Sequence, residues 1–251
     1  MRKIIEPSMK ALLLAAGEGR RLRPLTEKLP KPMIPVAGKP ILEHNINFLS
    51  GWGIREIAIN LHHCPEVVMS HFGDGSEFGV SITYSYEPEL LGTAGAVKKL
   101  EHFFEDTFLV FYGDNLINCD LAHLLIFHRA HQGIGTIVLH HRDDVSQSGV
   151  AILDQFDRVT QFIEKPREDQ VRSHWVNAGI FVLETEVFKY IPSVIPSDFG
   201  NEILAELLQQ GKRLYGYRLR RGEEIWWIDR MEDYERVQAI FSRRLTNNEK
   251  P

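Results

Sequence analysis

The segment GEGRRLRPLTEKLPKP, residues 17–32, places two glycines and several positive charges directly after the apolar run KALLLAA. Glycine lets backbone N–H groups approach an anion, and arginine guanidinium groups offer paired donors to phosphate oxygens. Because prolines keep the rest of the segment out of a helix, we expect Lys31 in an extended loop that folds back over the glycines. The segment predicts a phosphate-binding loop, and a solvated basic loop is the alternative. The candidate residues are Gly17, Gly19, Arg20, Arg21, Arg23 and Lys31.

The same residues exclude two familiar phosphate loops. A dinucleotide-binding fingerprint needs a third glycine where Leu22 stands, and a P-loop needs a Gly-Lys-Ser/Thr triplet that this segment does not contain. A nicotinamide-dependent dehydrogenase is therefore not expected.

Two aspartates follow apolar runs at points where strands are expected to end. Asp114 closes FLVFYGD, and Asp229 comes directly after IWWI. A carboxylate at the end of a buried strand is unfavourable unless water or a ligand solvates it, and Mg²⁺ prefers oxygen ligands of this kind. The two residues are therefore candidates for one magnesium site. A hydrogen-bonded turn aspartate before Asn115 is the alternative for Asp114.

Two later turns carry residues suited to a phosphorylated substrate. Lys165, in EKP, offers a compact charge for a phosphate, although composition alone favours an exposed ion pair with Glu164. Gly92 marks a turn, and the helix expected to begin near Thr93 would present free N–H groups to a base or sugar oxygen. A plain turn is the alternative for Gly92 and for Gly149.

The histidines and cysteines predict no metal centre. Adjacent histidines in LHHC and HHRDD would point to opposite faces of a strand, so neither pair is expected to chelate one ion. Cys64 and Cys119 are too few for a disulfide framework, and we expect both to be packed as free thiols.

Composition narrows the class of protein and its partners. The 251 residues, 43% of them hydrophobic and 25% charged, suffice for a full globular core. A net charge of −5 argues against nucleic acid as a partner. The sequence contains no apolar run of the roughly 20 residues that span a membrane, and MRKIIEPS is too short and polar for a secretory signal, so we expect a cytoplasmic protein without membrane partners.

Apolar runs of strand length alternate with helical patterns up to about residue 135. This alternation predicts a parallel sheet with ligands at the carboxyl ends of its strands. From about residue 136 the strands follow more closely, which predicts mixed or antiparallel additions. The expected strands are KALLLAA, EIAINL, SITYSY, FLVFYGD, GTIVLHH, GVAILD, AGIFVLE and LYGYRLR; the expected helices are ILEHNINFLSGWG, TAGAVKKLEHFF, LAHLLIFHRAHQG and MEDYERVQAIFSRRL, the last with Met231, Tyr234, Val237, Phe241 and Leu245 as its apolar stripe.

The segment LAAGEGRRLRPLTEKLPKPMIPVAGKPILEH resembles the signature of the sugar-1-phosphate nucleotidylyltransferases, closest in wording to mannose- and heptose-1-phosphate guanylyltransferases. EPELLGTAGA, GDN, EKP, NAGIFV and WWID follow in the family's order, so the resemblance covers nearly the whole chain. It implies an α/β fold: a doubly wound, mixed but mostly parallel sheet, in a Rossmann-like single domain. We expect this domain over residues 10–245, with a nucleotide-binding half (10–135) and a sugar-phosphate-binding half (136–245), between an extension (1–9) and a frayed tail (246–251).

The resemblance implies transfer of a nucleoside monophosphate from a nucleoside triphosphate to a sugar 1-phosphate, with Mg²⁺ as cofactor. It places Arg21, Lys31 and Asp114 in the catalytic centre, and Asp114 and Asp229 on the metal. The nucleotide-binding residues that it implies are Ala15, Gly17, Gly19, Arg20, Glu87, Gly92 and Thr93. The sugar-phosphate-binding residues are Gly149, Glu164, Lys165 and Asn177.

The sequence departs from the family pattern after Asp229. Most relatives continue into a glycine and a threonine, whereas this chain has Arg230 and Met231 in a shorter turn. This departure motivates one alternative, a catalytically silent regulatory relative. The segment LLGTAGA favours GTP with mannose or heptose 1-phosphate; a uridylyl-, thymidylyl- or cytidylyltransferase of glucose or amino-sugar 1-phosphates is the other alternative. The sequence leaves the oligomeric state open, a homo-oligomer included.

Overall fold

A computed structural model describes residues 8–193 and 196–248, with side chains up to residue 244 in the last helix. Most of the extension expected over residues 1–9 therefore lies outside the described residues. The last helix runs to Asn248, into the segment 246–251 that we expected to be frayed.

The described residues form strands and helices close to those expected from the sequence. The strands are β1 Lys10–Leu14, β2 Pro35–Val36, β3 Lys39–Pro40, β4 Glu56–Leu61, β5 Ser81–Tyr86, β6 Phe108–Tyr112, β7 Leu116–Asn118, β8 Gly135–His141, β9 Gly149–Leu153, β10 Val159–Glu164, β11 Trp175–Leu183, β12 Leu214–Arg218 and β13 Glu224–Trp226. The helices are α1 Ile41–Gly51, α2 Pro65–Phe72, α3 Gly92–Lys99, α4 Leu121–His131, α5 Leu204–Gln209 and α6 Met231–Asn248.

One nine-stranded sheet organises the molecule in the order β10-β9-β11-β6-β1-β4-β5, with β8 paired to β11 and β12. Strands β5, β4, β1 and β6 pair in parallel, as do β8 and β12. β10 and β11 run opposite to the other strands of the sheet. The expected mixed, mostly parallel sheet is confirmed.

Both faces of this sheet are covered, which explains the continuous apolar runs of its central strands. In β1, Ala11 and Leu13 face a core that includes residues of α1, α2 and α4. Leu12 faces the opposite core, to which α3 and α5 contribute. Successive strand residues point to opposite faces, so each strand supplies both cores.

A third cluster of buried residues joins the loop 20–36 to the last helix. Leu22 and Ile34 pack there with Trp226 and Val237. Met231, which we placed in the apolar stripe of this helix, is 37% exposed, because the helix begins there at the edge of the contact. The side chain of Leu245 lies outside the described residues.

Hydrogen bonds reinforce the same contact. The Tyr234 hydroxyl donates to the Pro35 carbonyl oxygen at 3.0 Å. The Ala37 N–H donates to Gln238 Oε1 at 2.6 Å. α6 therefore holds the segment that follows the proline-rich loop.

Several elements were not expected from the sequence. They are α2, α5 with the π-helical turn Phe199–Ile203 before it, and the short pairs β2–β3 and β7–β13. Among the helices described, none combines the length and apolar character that crossing a membrane requires.

Replacing Gly92 by alanine should destabilise the fold. Gly92 has a φ of +73°, and an added Cβ would lie 2.4 Å from the Ser197 carbonyl oxygen. We expect Gly92→Ala to lower the free energy of unfolding by about 1–3 kcal/mol, measured by urea denaturation. Gly51→Ala is the control, because Gly51 ends α1 and its added Cβ would meet nothing within 4 Å. Equal stability of the two variants would contradict this account.

Candidate active site

Three neighbouring parallel strands bring their carboxyl ends to one edge of the sheet. β1 ends at Leu14, where the glycine- and proline-rich loop begins. β4 ends at Leu61, and Asp114 follows the end of β6 at Tyr112. The candidate residues of the first half therefore converge where an open α/β sheet binds its ligands.

A cavity of about 410 Å³ opens at this edge. It is the larger of the two adjoining cavities of the candidate site and is here named the larger cavity. Ten of the residues singled out from the sequence line it. They are Gly17, Gly19, Arg20, Arg21, Lys31, Glu87, Gly92, Thr93, Asp114 and Asp229.

The ammonium group of Lys31 lies between two carboxylates. Its Nζ is 2.7 Å from Asp114 Oδ2 and 3.1 Å from Asp229 Oδ1, and its side chain is 7% exposed. Burial alone would lower the pKa of Lys31, but the two carboxylates outweigh burial and hold this pKa above its ordinary value. The lysine is therefore charged at neutral pH despite its burial.

Arg21 extends this ion-pair network toward solvent. Its guanidinium donates to Asp229 Oδ1 at 3.0 Å. Burial would raise the pKa of Asp229, yet the charges of Lys31 and Arg21 hold it below the ordinary value. Arg20 does not join this ion-pair network, because its exposed guanidinium pairs with Glu18.

The donor set fits a magnesium ion. Among the described residues no group of three or more histidine, cysteine, aspartate or glutamate side chains is arranged for a metal. Mg²⁺, however, is commonly held by one or two carboxylates together with water and substrate phosphates. Asp114 and Asp229 both reach the Lys31 ammonium, so their oxygens face a common point that favours positive charge.

The loop folds back over its glycines, as the prolines led us to expect, but Lys31 is not extended: it begins the short 3-10 turn Lys31–Met33. Gly19 has a φ of +63°, and a Cβ there would lie 2.7 Å from the Cβ of Lys31. Thr26 Oγ1 donates to the Gly19 carbonyl oxygen at 2.8 Å. The left-handed glycine thus leaves room for the lysine that the site needs.

A buried polar network supports the loop from beneath. The Ala15 N–H donates to Asn60 Oδ1 at 2.7 Å, and Asn60 Nδ2 donates to Glu87 Oε1 at 2.8 Å. Glu87 Oε2 accepts from the Leu91 N–H at 3.0 Å. Ala15 is not among the residues that line the larger cavity. Its N–H group and the Glu87 carboxylate both bond to Asn60, and these bonds hold neighbouring strand ends together.

The expectation that the N–H groups at the start of α3 are free to bind a ligand is wrong. The Thr93 N–H and hydroxyl both donate to Asp198 Oδ1, at 3.0 and 2.9 Å. The Ala94 and Gly95 N–H groups donate to the Ser197 carbonyl oxygen. A remote segment therefore caps this helix and leaves these N–H groups no capacity for a ligand.

A smaller cavity of about 260 Å³ adjoins the first and shares Arg21, Tyr112 and Asp229 with it. Gly149, Glu164 and Asn177 line this smaller cavity. Lys165 does not line either cavity; it is exposed, with a φ of +46°.

Glu164 and Asn177, which line the smaller cavity, differ in their burial and hydrogen bonding. Burial raises the pKa of Glu164, with Lys165 opposing and Asp198 adding to the shift. Asn177 Oδ1 accepts from the Gly179 N–H at 2.8 Å, which leaves the amide NH₂ group to donate. A Cβ on Gly149 would lie 2.6 Å from Glu164 Oε2, so the glycine makes room for this carboxyl group.

The turn after Asp229 is held by Asp233. The Arg230 N–H donates to Asp233 Oδ2 at 3.1 Å, in the manner of an acidic residue in the first turn of a helix. The Asp229 N–H lies 3.3 Å from the same oxygen. Asp229 thus keeps its place beside Lys31 although Arg230 and Met231 replace the usual glycine and threonine.

A sequence profile described as nucleotidyl transferase matches residues 10–235. The chain belongs to the nucleotidyl transferase family. The family resemblance and the single-domain α/β fold expected from it are confirmed.

Relatives of this chain differ in the base and sugar that their names carry. A UTP–glucose-1-phosphate uridylyltransferase of Synechocystis is 36% identical over 97% of this chain and 66% of its own length. A mannose-1-phosphate guanylyltransferase of Mycobacterium tuberculosis is 38% identical over 94% of this chain and 65% of its own. The chain therefore spans slightly less than two thirds of each curated relative.

Among solved structures, a Bacillus anthracis protein described as a glucose-1-phosphate thymidylyltransferase, in complex with sucrose, superposes with a TM-score of 0.81. It is 27% identical and covers 93% of this chain and 95% of its own.

Several residues of the candidate site were missed in the sequence analysis. Asn60 stands near the end of β4, and the polar side chain within EIAINL was its signal. Tyr112 ends FLVFY and resembles an ordinary strand aromatic. Asp198 carries no local signal, because it meets Thr93 across 105 positions of sequence.

The ion pairs of Asp229 predict how stability varies with pH. Because the pKa of Asp229 is depressed in the folded state, its carboxylate stabilises the fold at pH values above the ordinary pKa of 3.8. This contribution to stability is lost as the pH falls through the pKa that Asp229 has in the folded state. We expect Asp229→Asn to lower the free energy of unfolding by about 1–3 kcal/mol near neutral pH, with the deficit shrinking below about pH 4.

Urea denaturation across a pH series measures this deficit. Asp169→Asn is the control, since Asp169 forms an exposed pair with Arg167 and should change stability by less than about 0.5 kcal/mol. A deficit for Asp229→Asn that stays constant from neutral to acid pH would sink the interpretation.

Proposed function

We propose that the protein transfers a nucleoside monophosphate from a nucleoside triphosphate to a sugar 1-phosphate and releases pyrophosphate. The observation that carries this proposal is the meeting of two cavities at Arg21, Tyr112 and Asp229. A triphosphate in the larger cavity and a sugar phosphate in the smaller one would place the two reacting groups side by side, which removes most of the entropic barrier.

The cavities divide between the two halves of the chain. The larger cavity is lined mainly by residues of the first half. All the residues that line the smaller cavity, except Arg21 and Tyr112, come from the second half. We therefore assign residues 10–135 to the triphosphate and residues 136–245 to the sugar phosphate.

The reaction requires one displacement at phosphorus. A phosphate oxygen of the sugar 1-phosphate attacks the α-phosphorus of the triphosphate; a new P–O bond forms and the bond to the β-phosphate oxygen breaks. Arg21 would stabilise the charge on the departing pyrophosphate, and Lys31 the charge on the α-phosphate. Catalysis then consists of positioning and charge neutralisation.

Asp114 and Asp229 would hold a magnesium ion, whose charge would neutralise phosphate oxygens. Glu164 and Asn177 would orient the sugar, since a protonatable carboxyl group and an amide NH₂ group suit hydroxyl groups.

The geometry favours a catalyst over a silent relative. The charged groups that the proposed reaction needs, Arg21, Lys31, Asp114 and Asp229, are all present and in contact, which supports a catalyst. Despite the altered turn, Asp229 keeps its contacts with Arg21 and Lys31.

GTP with mannose 1-phosphate is our first choice of substrates, with heptose 1-phosphate as the other sugar. LLGTAGA supports GTP, as does the 38% identity with a mannose-1-phosphate guanylyltransferase. UTP with glucose 1-phosphate is the second candidate, because a relative named for that pair is 36% identical over 97% of the chain.

Pyrophosphate release with Mg²⁺ tests the function directly. GTP, UTP, dTTP, CTP and ATP are screened against mannose, glucose, heptose and amino-sugar 1-phosphates. We expect release with one pair, and a fall in kcat of at least about 100-fold in Asp114→Ala and in Arg21→Ala. The first variant loses a carboxylate that would hold the magnesium ion, and the second loses the guanidinium that would stabilise the departing pyrophosphate.

Arg167→Ala and Asp169→Ala are matched controls. They remove the same side-chain types from an exposed ion pair outside both cavities and should leave kcat within about twofold. Silence across the panel, from folded protein that still binds a triphosphate, would refute the proposal and favour the regulatory relative.

A further inference from the structure

The adjacent histidines His140 and His141 end β8, and the first of them bonds to a tryptophan of the candidate site. The indole N–H of Trp227 donates to Nε2 of His140 at 2.9 Å. The two rings also lie close together, with their centroids 5.5 Å apart and their planes tilted by 36°. A hydrogen bond and a ring contact therefore hold the Trp227 side chain against the end of β8.

Trp227 connects His140 to the smaller cavity. Trp226 and Ile228 are buried in an apolar cluster. Trp227 and Asp229, which alternate with them along the chain, line the smaller cavity. His140 lines neither cavity of the candidate site, so it can act on a ligand there only through the indole that it holds.

The imidazole of His140 is in the form that accepts this bond. Burial and the nearby charge of Arg142 lower the pKa of His140 to about 4, so the ring is neutral near neutral pH. A neutral imidazole has one N–H group and one acceptor nitrogen. Because Nε2 accepts from the indole, the proton of His140 resides on Nδ1.

This bond determines which part of Trp227 is open to a ligand. An indole has a single N–H donor, which needs an acceptor when it is removed from water, and here a protein side chain supplies that acceptor. The N–H group is therefore not available to a sugar hydroxyl or a phosphate, and the cavity meets the apolar ring. Glu164 and Asn177 line the same cavity, so an apolar wall is combined with a few polar groups, as in other small-molecule sites.

We propose that His140 is a positioning residue for the sugar 1-phosphate, because it holds the Trp227 ring in the wall of the smaller cavity by accepting the indole N–H. The inference rests on the proposed function. Without this acceptor the indole N–H is left unpaired, and the ring must turn to find another partner. The apolar wall would then be lost, although no group that we assign to the phosphates had changed.

Calorimetric titration of the Mg²⁺-loaded protein with mannose, glucose, heptose and amino-sugar 1-phosphates tests this role. We expect His140→Phe, which keeps a planar ring but has no acceptor, to weaken sugar 1-phosphate binding about 5- to 30-fold, the effect of one unpaired N–H group. His140→Gln restores an acceptor oxygen and should bind within about threefold of the wild type. In both variants the affinity for GTP and UTP should stay within about twofold of the wild type. In turnover, His140→Phe should raise KM for the sugar 1-phosphate and leave kcat nearly unchanged.

A double-mutant cycle separates this role from a general effect on the fold. Trp227→Phe removes the N–H group and keeps an aromatic ring, so adding His140→Phe to it should change sugar 1-phosphate affinity by less than about twofold. His141→Phe is the matched control, because His141 is exposed, stands next to His140 in β8 and lines neither cavity of the candidate site. This control should bind like the wild type.

Unchanged sugar 1-phosphate affinity in His140→Phe would overturn the inference. A parallel loss of triphosphate affinity or of kcat would also overturn it, because that pattern would assign His140 to the placement of Asp229 instead. Affinity that depends on His140 and Trp227 in a wild type without turnover would support the positioning role and refute the proposed function. A wild type that binds none of these sugar 1-phosphates would overturn both.

Discussion

The burial of one positive charge constrains the whole site. Lys31 is 6% exposed, and a buried ammonium group is unfavourable by several kcal/mol unless carboxylates complete its surroundings. Those carboxylates, Asp114 and Asp229, lie 83 and 198 positions further along the sequence. The proline-rich loop, the end of β6 and the turn before α6 must therefore all be in place before this lysine is stable in the fold.

Apolar packing brings these three segments together. Leu22 and Ile34, on either side of Lys31 in the sequence, are buried in the same cluster as Trp226 and Val237. The residues that hold the loop against α6 are thus also those that hold the lysine against Asp229. The same apolar contacts therefore stabilise this part of the molecule and fix the positions of Lys31 and Asp229.

Much of this arrangement could be predicted from the sequence because its signals are local. Consecutive apolar residues in β1 and β6 require cover on both sheet faces, and Asp114 stands out because it follows such a run. The helix start at Thr93 was misread because its N–H groups are capped by Asp198, a pairing that the sequence does not reveal. The position of Lys165 outside the lining of both cavities also depends on how the second half packs, which no local pattern specifies.

The wide separation of Arg21 and Asp229, 208 positions in sequence, has a consequence for biosynthesis. Ribosomes deliver the amino-terminal half first, and its parallel strands can pair while the remainder is still being translated. Lys31 then lacks one of its two carboxylates until residue 229 has emerged. A polypeptide interrupted before that residue has the loop around Lys31 but neither the Asp229 carboxylate nor the α6 residues that pack against the loop, so a prematurely terminated translation product would not assemble this site.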